Sequence, residues 1–417
     1  MSEAVIIGSG LGGLLSGAIL SRAGYHVTVL EKAAQPGGCL QTFTREGLRF
    51  DTGFHSVAGL EEGGPLERIF RPLGLMDLPW EHVTETDEIV LDGVPHRLSD
   101  LAFPVGNLLR MSGPEVTEEE YAHVMEPYKN GSWRLPAGDL LVQALAAQIN
   151  GTIHCHCEVT AIEPGLVRCK DGSAYEGIIV SDIHPRQTFS LFKGHVRPAY
   201  LHRLKVLEDG PGIFTVYCKL RPETLVYKPW STTYDGGPMV HFGNPDGQGF
   251  ARSADLLAFC EEEVPDRAAF AETLIRRVPG LEPAVEKYWT STPATWERYT
   301  GTPGGSAFGI RKKDATCYVH PRTPVPGLYL TGQNCGLHGV LGVAETALTT
   351  CREILGESTL NQILQRGKPH SSPAAAAASA APSPSLSPAW ATTSSSTMSR
   401  TRRRPGKPWT PSAARAN

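Results

Sequence analysis

Val5-Ile6-Ile7-Gly8-Ser9-Gly10-Leu11-Gly12-Gly13-Leu14-Leu15 stands almost at the start of the 417-residue chain. The three apolar residues read as a buried strand, the glycines as a tight turn, and Leu14 to Ala23 as a helix. A second apolar strand, Val27 to Leu30, follows at once, so residues 4–32 form half of a doubly wound unit.

Gly8, Gly10 and Gly13 carry the G-x-G-x-x-G spacing after a strand and before a helix, where a dinucleotide site needs it. Gly8 permits the tight turn, Gly10 lets the backbone approach a pyrophosphate, and Gly13, next to Gly12, allows close helix packing. The helix start then faces the phosphates, worth roughly 0.3–1 kcal/mol per charge at an exposed site. Glu31, with Lys32 beside it, ends the second strand, where a carboxylate accepts ribose hydroxyls.

NAD and FAD share this fingerprint, and two further features select FAD. Gly37-Gly38 and Phe50-Asp51-Thr52-Gly53 closely follow Glu31, and a second glycine pair lets the chain pass close to an extended cofactor. Far downstream, strand Leu328 to Leu330 runs into Thr331-Gly332-Gln333, and Gly339-Val340-Leu341-Gly342 starts a helix that Gly356 stops. That helix is expected to aim its positive end at the flavin ring, where negative charge gathers on reduction.

Between these ends, residues 140–149 have helical periodicity. Short strand-like runs follow near Thr152 to His156, Val159 to Ile162, Val167 to Cys169 and Ile178 to Val180. The expected fold is α/β: a Rossmann-like FAD-binding domain of the glutathione-reductase/amine-oxidase type, with a second, α+β substrate domain. Residues 1–60, 131–189 and 325–366 are assigned to the FAD-binding domain, and 61–130 and 190–324 to the substrate and cap domain. Residues 367–417 are rich in Pro, Ala, Ser and Arg and read as a disordered tail; its Arg402-Arg403-Arg404 run reads as a solvated stretch.

Seven of the 39 basic side chains lie in that tail, which has no carboxylate, leaving 32 against 43 acidic ones in the body. A body this acidic argues against nucleic acid as a partner. The N-terminal residues lack a basic, cleavable leader pattern, and no apolar run approaches the roughly 20 residues that cross a bilayer. A cytoplasmic protein, with peripheral membrane contact left open, is the expectation. Nine scattered cysteines suit a reducing compartment.

Residues 5–42 and 50–59, with 299–309 and 327–351, resemble the phytoene desaturase, carotenoid isomerase and retinol saturase family of FAD-dependent oxidoreductases, with the bacterial retinol-saturase-like branch most similar. The resemblance covers most of 1–106 and 131–357. It implies FAD contacts at Gly8, Gly10, Gly13, Glu31, Gly37 and Gly38, at Val159 through its backbone near the adenine, and at Gly332, Gln333 and Leu341 near the ribityl chain and ring; Gly339 and Val340 join them at the helix start. It also implies an isoprenoid or polyene substrate. One departure is the cap: the family carries a long helical segment where this chain has only about 25 residues, short even for two helices at 1.5 Å per residue.

A conjugated polyene offers no charge to grip, so an apolar tunnel and at most one proton donor are needed. His55, beyond Asp51-Thr52-Gly53, and His338, before the flavin-facing helix, are the catalytic candidates, because imidazole donates a proton near neutral pH. A hydrogen-bonded structural histidine is the commoner reading of each. Residues 299–303 read as a loop near the flavin, and the 311–313 Arg-Lys-Lys run as a solvated turn. His154-Cys155-His156-Cys157 invites a metal, but a strand sends alternate side chains to opposite faces, so no metal is assigned. No second glycine fingerprint is visible, so reducing equivalents come from a partner or a transiently bound NAD(P). An amine-oxidase-like flavoenzyme and a flavin-binding remnant without turnover are the alternatives; oligomeric state is left open.

Overall fold

The computed structural model describes residues 2–100, 126–234, 237–260, 263–312 and 317–365. Most of the shortened cap, Lys313 and the whole tail from Gly367 lie outside them, and with them the tail's expected disorder and its arginine run.

Five parallel strands form the first sheet, in the order Leu328–Leu330, Ile178–Ser181, Glu3–Ile7, His26–Leu30, Gly151–His154. Parallel strands are covered on both faces, which is why Ala4 to Ile7 is a continuous apolar run. Its alternate side chains divide: Ala4 and Ile6 enter a core beneath the helices Leu11–Arg22 and Gly339–Leu355. Val5 and Ile7 enter a second core with Leu30, Ile179, Leu328 and Leu330. Ile6 is wholly buried, and truncation to Ala at such a site costs about 2–5 kcal/mol.

The first helix starts at Leu11, three residues before the expected start, because extended Gly10 serves as its N-cap. The strand expected over Thr152 to His156 stops at His154, and His156 sits at φ +56° in a turn. The metal argument from strand alternation therefore does not apply to Cys155, His156 and Cys157. Residues 159–176 form a three-stranded meander, Val159–Glu163, Leu166–Cys169 and Ala174–Glu176.

The second large sheet has seven strands. Its order is Val285–Ser291, Gly212–Leu220, Ser253–Cys260, Met239–Gly243, Thr232–Tyr234, Glu88–Leu91, Val94–Arg97. All neighbours are antiparallel except Thr232–Tyr234 with Glu88–Leu91. Phe214, Val216, Cys218, Leu256 and Phe242 point to one face, under helix Arg267–Arg277. Tyr217 and Trp289 point to the other, against Phe43 and Phe50. Period-two alternation thus gives this sheet one face under the helix and the other against the hairpin that carries Phe43 and Phe50. Among the described residues no helix is long and apolar enough to cross a membrane.

Candidate functional site

A cleft of about 1680 Å³ runs from the glycine turn to the inner face of the seven-stranded sheet. That exceeds the roughly 300–1,000 Å³ of a small-molecule pocket and suits an extended ligand with a second molecule beside it. Gly8, Gly10, Gly12, Glu31, Lys32, Gly37, Gly38, Val159, Gly332, Gln333, Gly339 and Val340 all line it.

At one end, extended Gly10 caps the Leu11–Arg22 helix without any side-chain cap, and no acid occupies the first turn. The helix dipole and the amides at this end favour an anion, and the Asp182 carboxylate already accepts from the Gly13 and Gly10 amides. A β-carbon on Gly13 would lie 2.3 Å from the Gly8 carbonyl oxygen, so Gly13 serves close packing and stays out of the cleft wall. On Gly12 it would lie 2.8 Å from the Gly332 Cα. Two stretches 320 positions apart therefore touch at the turn.

The Glu31 carboxylate is held before any ligand arrives. One oxygen accepts from the Ser9 amide and hydroxyl, the other from the Ala33 amide at 2.8 Å. A carboxylate has about four lone-pair sites, so acceptor capacity remains for a ribose hydroxyl. Ser9 also binds Gly37, whose amide donates to the Ser9 carbonyl at 3.0 Å. Lys32 is exposed at the rim and donates to the Arg298 carbonyl.

Asp182 is the residue that sequence reasoning missed. Its two carboxyl oxygens lie 2.5 Å from where β-carbons on Gly10 and Gly12 would stand, and one lies 2.4 Å from that of Gly332. Desolvation by the cleft walls pushes its pKa up to about 7; the Gly13 amide opposes this, the Glu31 charge adds to it, and the Gly10 amide opposes. The signal was positional: Asp182 follows the strand Ile178–Ser181, and open parallel sheets bind ligands beyond the carboxyl ends of their strands.

Farther along, His338 is the N-cap of Gly339–Leu355, makes no side-chain cap bond and rests its ring 4.2 Å from that of Phe308. Leu341 does not line the cleft; its side chain belongs to the core under the first sheet, leaving only backbone near the helix start. His55 stacks on His241, ring centroids 3.5 Å apart and planes 5° from parallel. Burial and then the Arg134 charge bring His55 down to about 3; burial, His55 and Arg134 bring His241 well below its ordinary value. Both imidazoles are thus neutral at physiological pH, so His55 offers a neutral ring rather than the imidazolium that the proton-donor reading invoked. The Ser231 hydroxyl and His241 Nδ1 share a 2.8 Å hydrogen bond, while both Nε2 atoms are buried without partners among the described residues.

Of residues 299–303, Tyr299 and Thr300 end the helix Pro293–Thr300, Gly301 caps it at φ +72° and Thr302 is extended before the turn at Pro303; Tyr299, Thr300 and Thr302 line the cleft. Within the run read as a solvated turn, Lys312 is not solvated. Lys312 is 1% exposed and donates to the Asn334 carbonyl at 2.8 Å, holding the segment that follows Gln333. A lysine is rarely buried unless paired, and nothing in its neighbours' composition signalled it.

The uncapped helix end, the glycines without room for a β-carbon and the preset acid together fit a dinucleotide with a diphosphate. A family model described as an NAD(P)-binding Rossmann-like domain matches residues 6–73. The chain is similar to human all-trans-retinol 13,14-reductase, 42% identical over 92 residues, which cover 22% of this chain and 15% of that protein. It is also similar to phytoene desaturase of Cercospora nicotianae, 54% identical over 50 residues, 12% of this chain and 8% of that protein. Matches to the retinol reductases span only 11% to 23% of those proteins' length. Putrescine oxidase bound to putrescine shares the fold, with a TM-score of 0.61 at 13% identity over 85% of this chain and 99% of that one. The matched segments support a likeness to the phytoene desaturase and retinol saturase family of oxidoreductases, and the solved structures show the shared fold.

Proposed function

We propose that the protein binds FAD in this cleft and acts on C=C or CH–CH bonds of an isoprenoid or polyene, by saturation, desaturation or isomerisation. The observation that carries the reading is the contact of Gly332 with the glycine turn, which makes one continuous groove from the Glu31 end to the His338 helix. An NAD-only domain has no need of that returning segment. When bound, FAD supplies a hydride acceptor and donor at N5.

The chain's own groups divide the remaining work. Ser9 and Ala33 orient Glu31 toward a ribose, and the amides after Gly10 face a diphosphate. Gln333, Gly339 and Val340 line the groove beyond it. Ile89, Leu98, Ile213, Met239, Leu257 and Phe259 give the far section an apolar wall for a substrate without charge. Proton delivery there falls to a neutral donor, since imidazolium is disfavoured at both His55 and His241. A transiently bound NAD(P) or a partner supplies reducing equivalents, and a substrate this apolar is met at a lipid surface.

Purified protein is expected to be yellow, to bleach on anaerobic reduction, and to change the mass of a retinol or carotenoid by two hydrogens, or to isomerise it. A colourless, folded protein that takes up no FAD on titration overturns the cofactor; a flavin-loaded protein inert toward every polyene tried overturns the substrate class.

A further inference from the structure

The Sγ atoms of Cys157 and Cys169 are 2.9 Å apart, and both side chains are buried. Cys169 ends one strand of the meander, and Cys157 stands two residues before its partner strand. Asp171 is the only other potential metal ligand gathered with them among the described residues. Its carboxylate already accepts from the Ser173 amide at 2.9 Å and hydroxyl at 2.6 Å. Two thiolates on tetrahedral zinc, each at about 2.3 Å, stand roughly 3.8 Å apart. The observed separation of 2.9 Å is too small for that and leans toward a covalent S–S bond, which is about 2.05 Å long.

The pair is tied to the nucleotide end of the cleft. The Cys157 amide donates to the Glu31 carbonyl at 2.8 Å, and the His156 amide to the Ala33 carbonyl at 3.0 Å. Cys157, Glu158 and Val159 line the cleft, whereas Cys169 does not.

We propose that Cys157 and Cys169 are a redox-active dithiol, which hydrogen peroxide closes to a disulfide and which a bound dinucleotide shields. The Cys157 thiolate attacks one peroxide oxygen, breaking O–O, and the departing hydroxide takes a proton to leave as water; Cys157 becomes a sulfenic acid. The Cys169 sulfur then attacks the Cys157 sulfur and loses its proton, S–S forms, and the sulfenic hydroxyl leaves as a second water. Peroxide accepts two electrons and the dithiol loses two. Cys157 takes the first step because the cleft reaches it. Burial, then the neighbouring Cys157, push the Cys169 thiol up to about 12, which keeps it protonated until a sulfenic partner is in place. The closure itself is independent of the functional reading; only the shielding rests on it.

The test is peroxide treatment of the native full chain, followed by non-reducing peptide mapping. The expected result is a Cys157–Cys169 cross-linked peptide two hydrogens lighter, with loss of two of the nine thiols, and trapping of a sulfenic acid at Cys157 in Cys169→Ser. Adding FAD before peroxide should slow the cross-link. Oxidation confined to other cysteines such as Cys39, or a cross-link absent while zinc blocks both thiols, overturns the dithiol. A cross-link that forms equally fast with FAD bound overturns the shielding and leaves the dithiol standing.

Discussion

The Cα of Gly332 lies 2.8 Å from the point where Gly12 would carry a β-carbon. One Asp182 oxygen also stands 2.5 Å from that point. Gly12→Ala must therefore push against backbone and carboxylate at once, and overpacking of this kind costs about 1–3 kcal/mol. FAD affinity, read by flavin fluorescence on titration, should fall by roughly tenfold or more. Unchanged affinity would mean that the two segments do not jointly shape the groove.

Asp182 gives a pH dependence with a definite sign. Its pKa rises from 3.8 to about 7 in the folded protein, so the native state holds more protons than the unfolded one between these values. The associated stability is fully present below pH 3.8 and is lost as pH rises through about 7. An incoming diphosphate adds negative charge beside it and beside Glu31, Cys39 and Cys335. FAD should thus bind more tightly at pH 6 than at pH 8, and Asp182→Asn should flatten the profile. Parallel affinity profiles for the two proteins would refute this.

The stacked histidines act in the opposite sense. His55 falls from 6.5 to about 3, so the stability it contributes is present above 6.5 and is lost as pH drops toward 3. Thermal melts between pH 7 and 4 should show a steep acid loss of Tm, made shallower in a His55→Phe/His241→Phe double variant that keeps a ring stack. An equally steep loss in that variant would assign the acid sensitivity elsewhere.

Lys312→Met removes the donor to the Asn334 carbonyl and leaves that acceptor buried. The expected loss is about 1–3 kcal/mol, visible as a lower urea midpoint with reduced FAD occupancy, because Asn334 follows Gln333. A variant as stable as the parent would show the buried amine to be dispensable.

Local pattern made the nucleotide-type half legible. Val5 to Gly13 is contiguous, and its strand, turn and helix follow from apolar runs and glycine spacing alone; Gly332 and Gln333 could be placed because the same logic repeats after Leu328 to Leu330. The chemistry of the cleft was less legible because it depends on pairs far apart in sequence. His241 meets His55 only once the second sheet has formed. Asp182 matters through the space left by Gly10, Gly12 and Gly332, and Lys312 hid inside a run that reads as surface charge. The strand ending at His154 was overextended because four alternating His and Cys residues imitate period two.

The first sheet sets residues 3–7 beside 178–181, and those beside 328–330. During synthesis at roughly 5–20 residues per second, the opening strand leaves the ribosome long before the last one exists. The nascent polypeptide must wait tens of seconds with an unfinished sheet, so a ribosome stalled before residue 328 would display a chain lacking the strand that completes its nucleotide groove.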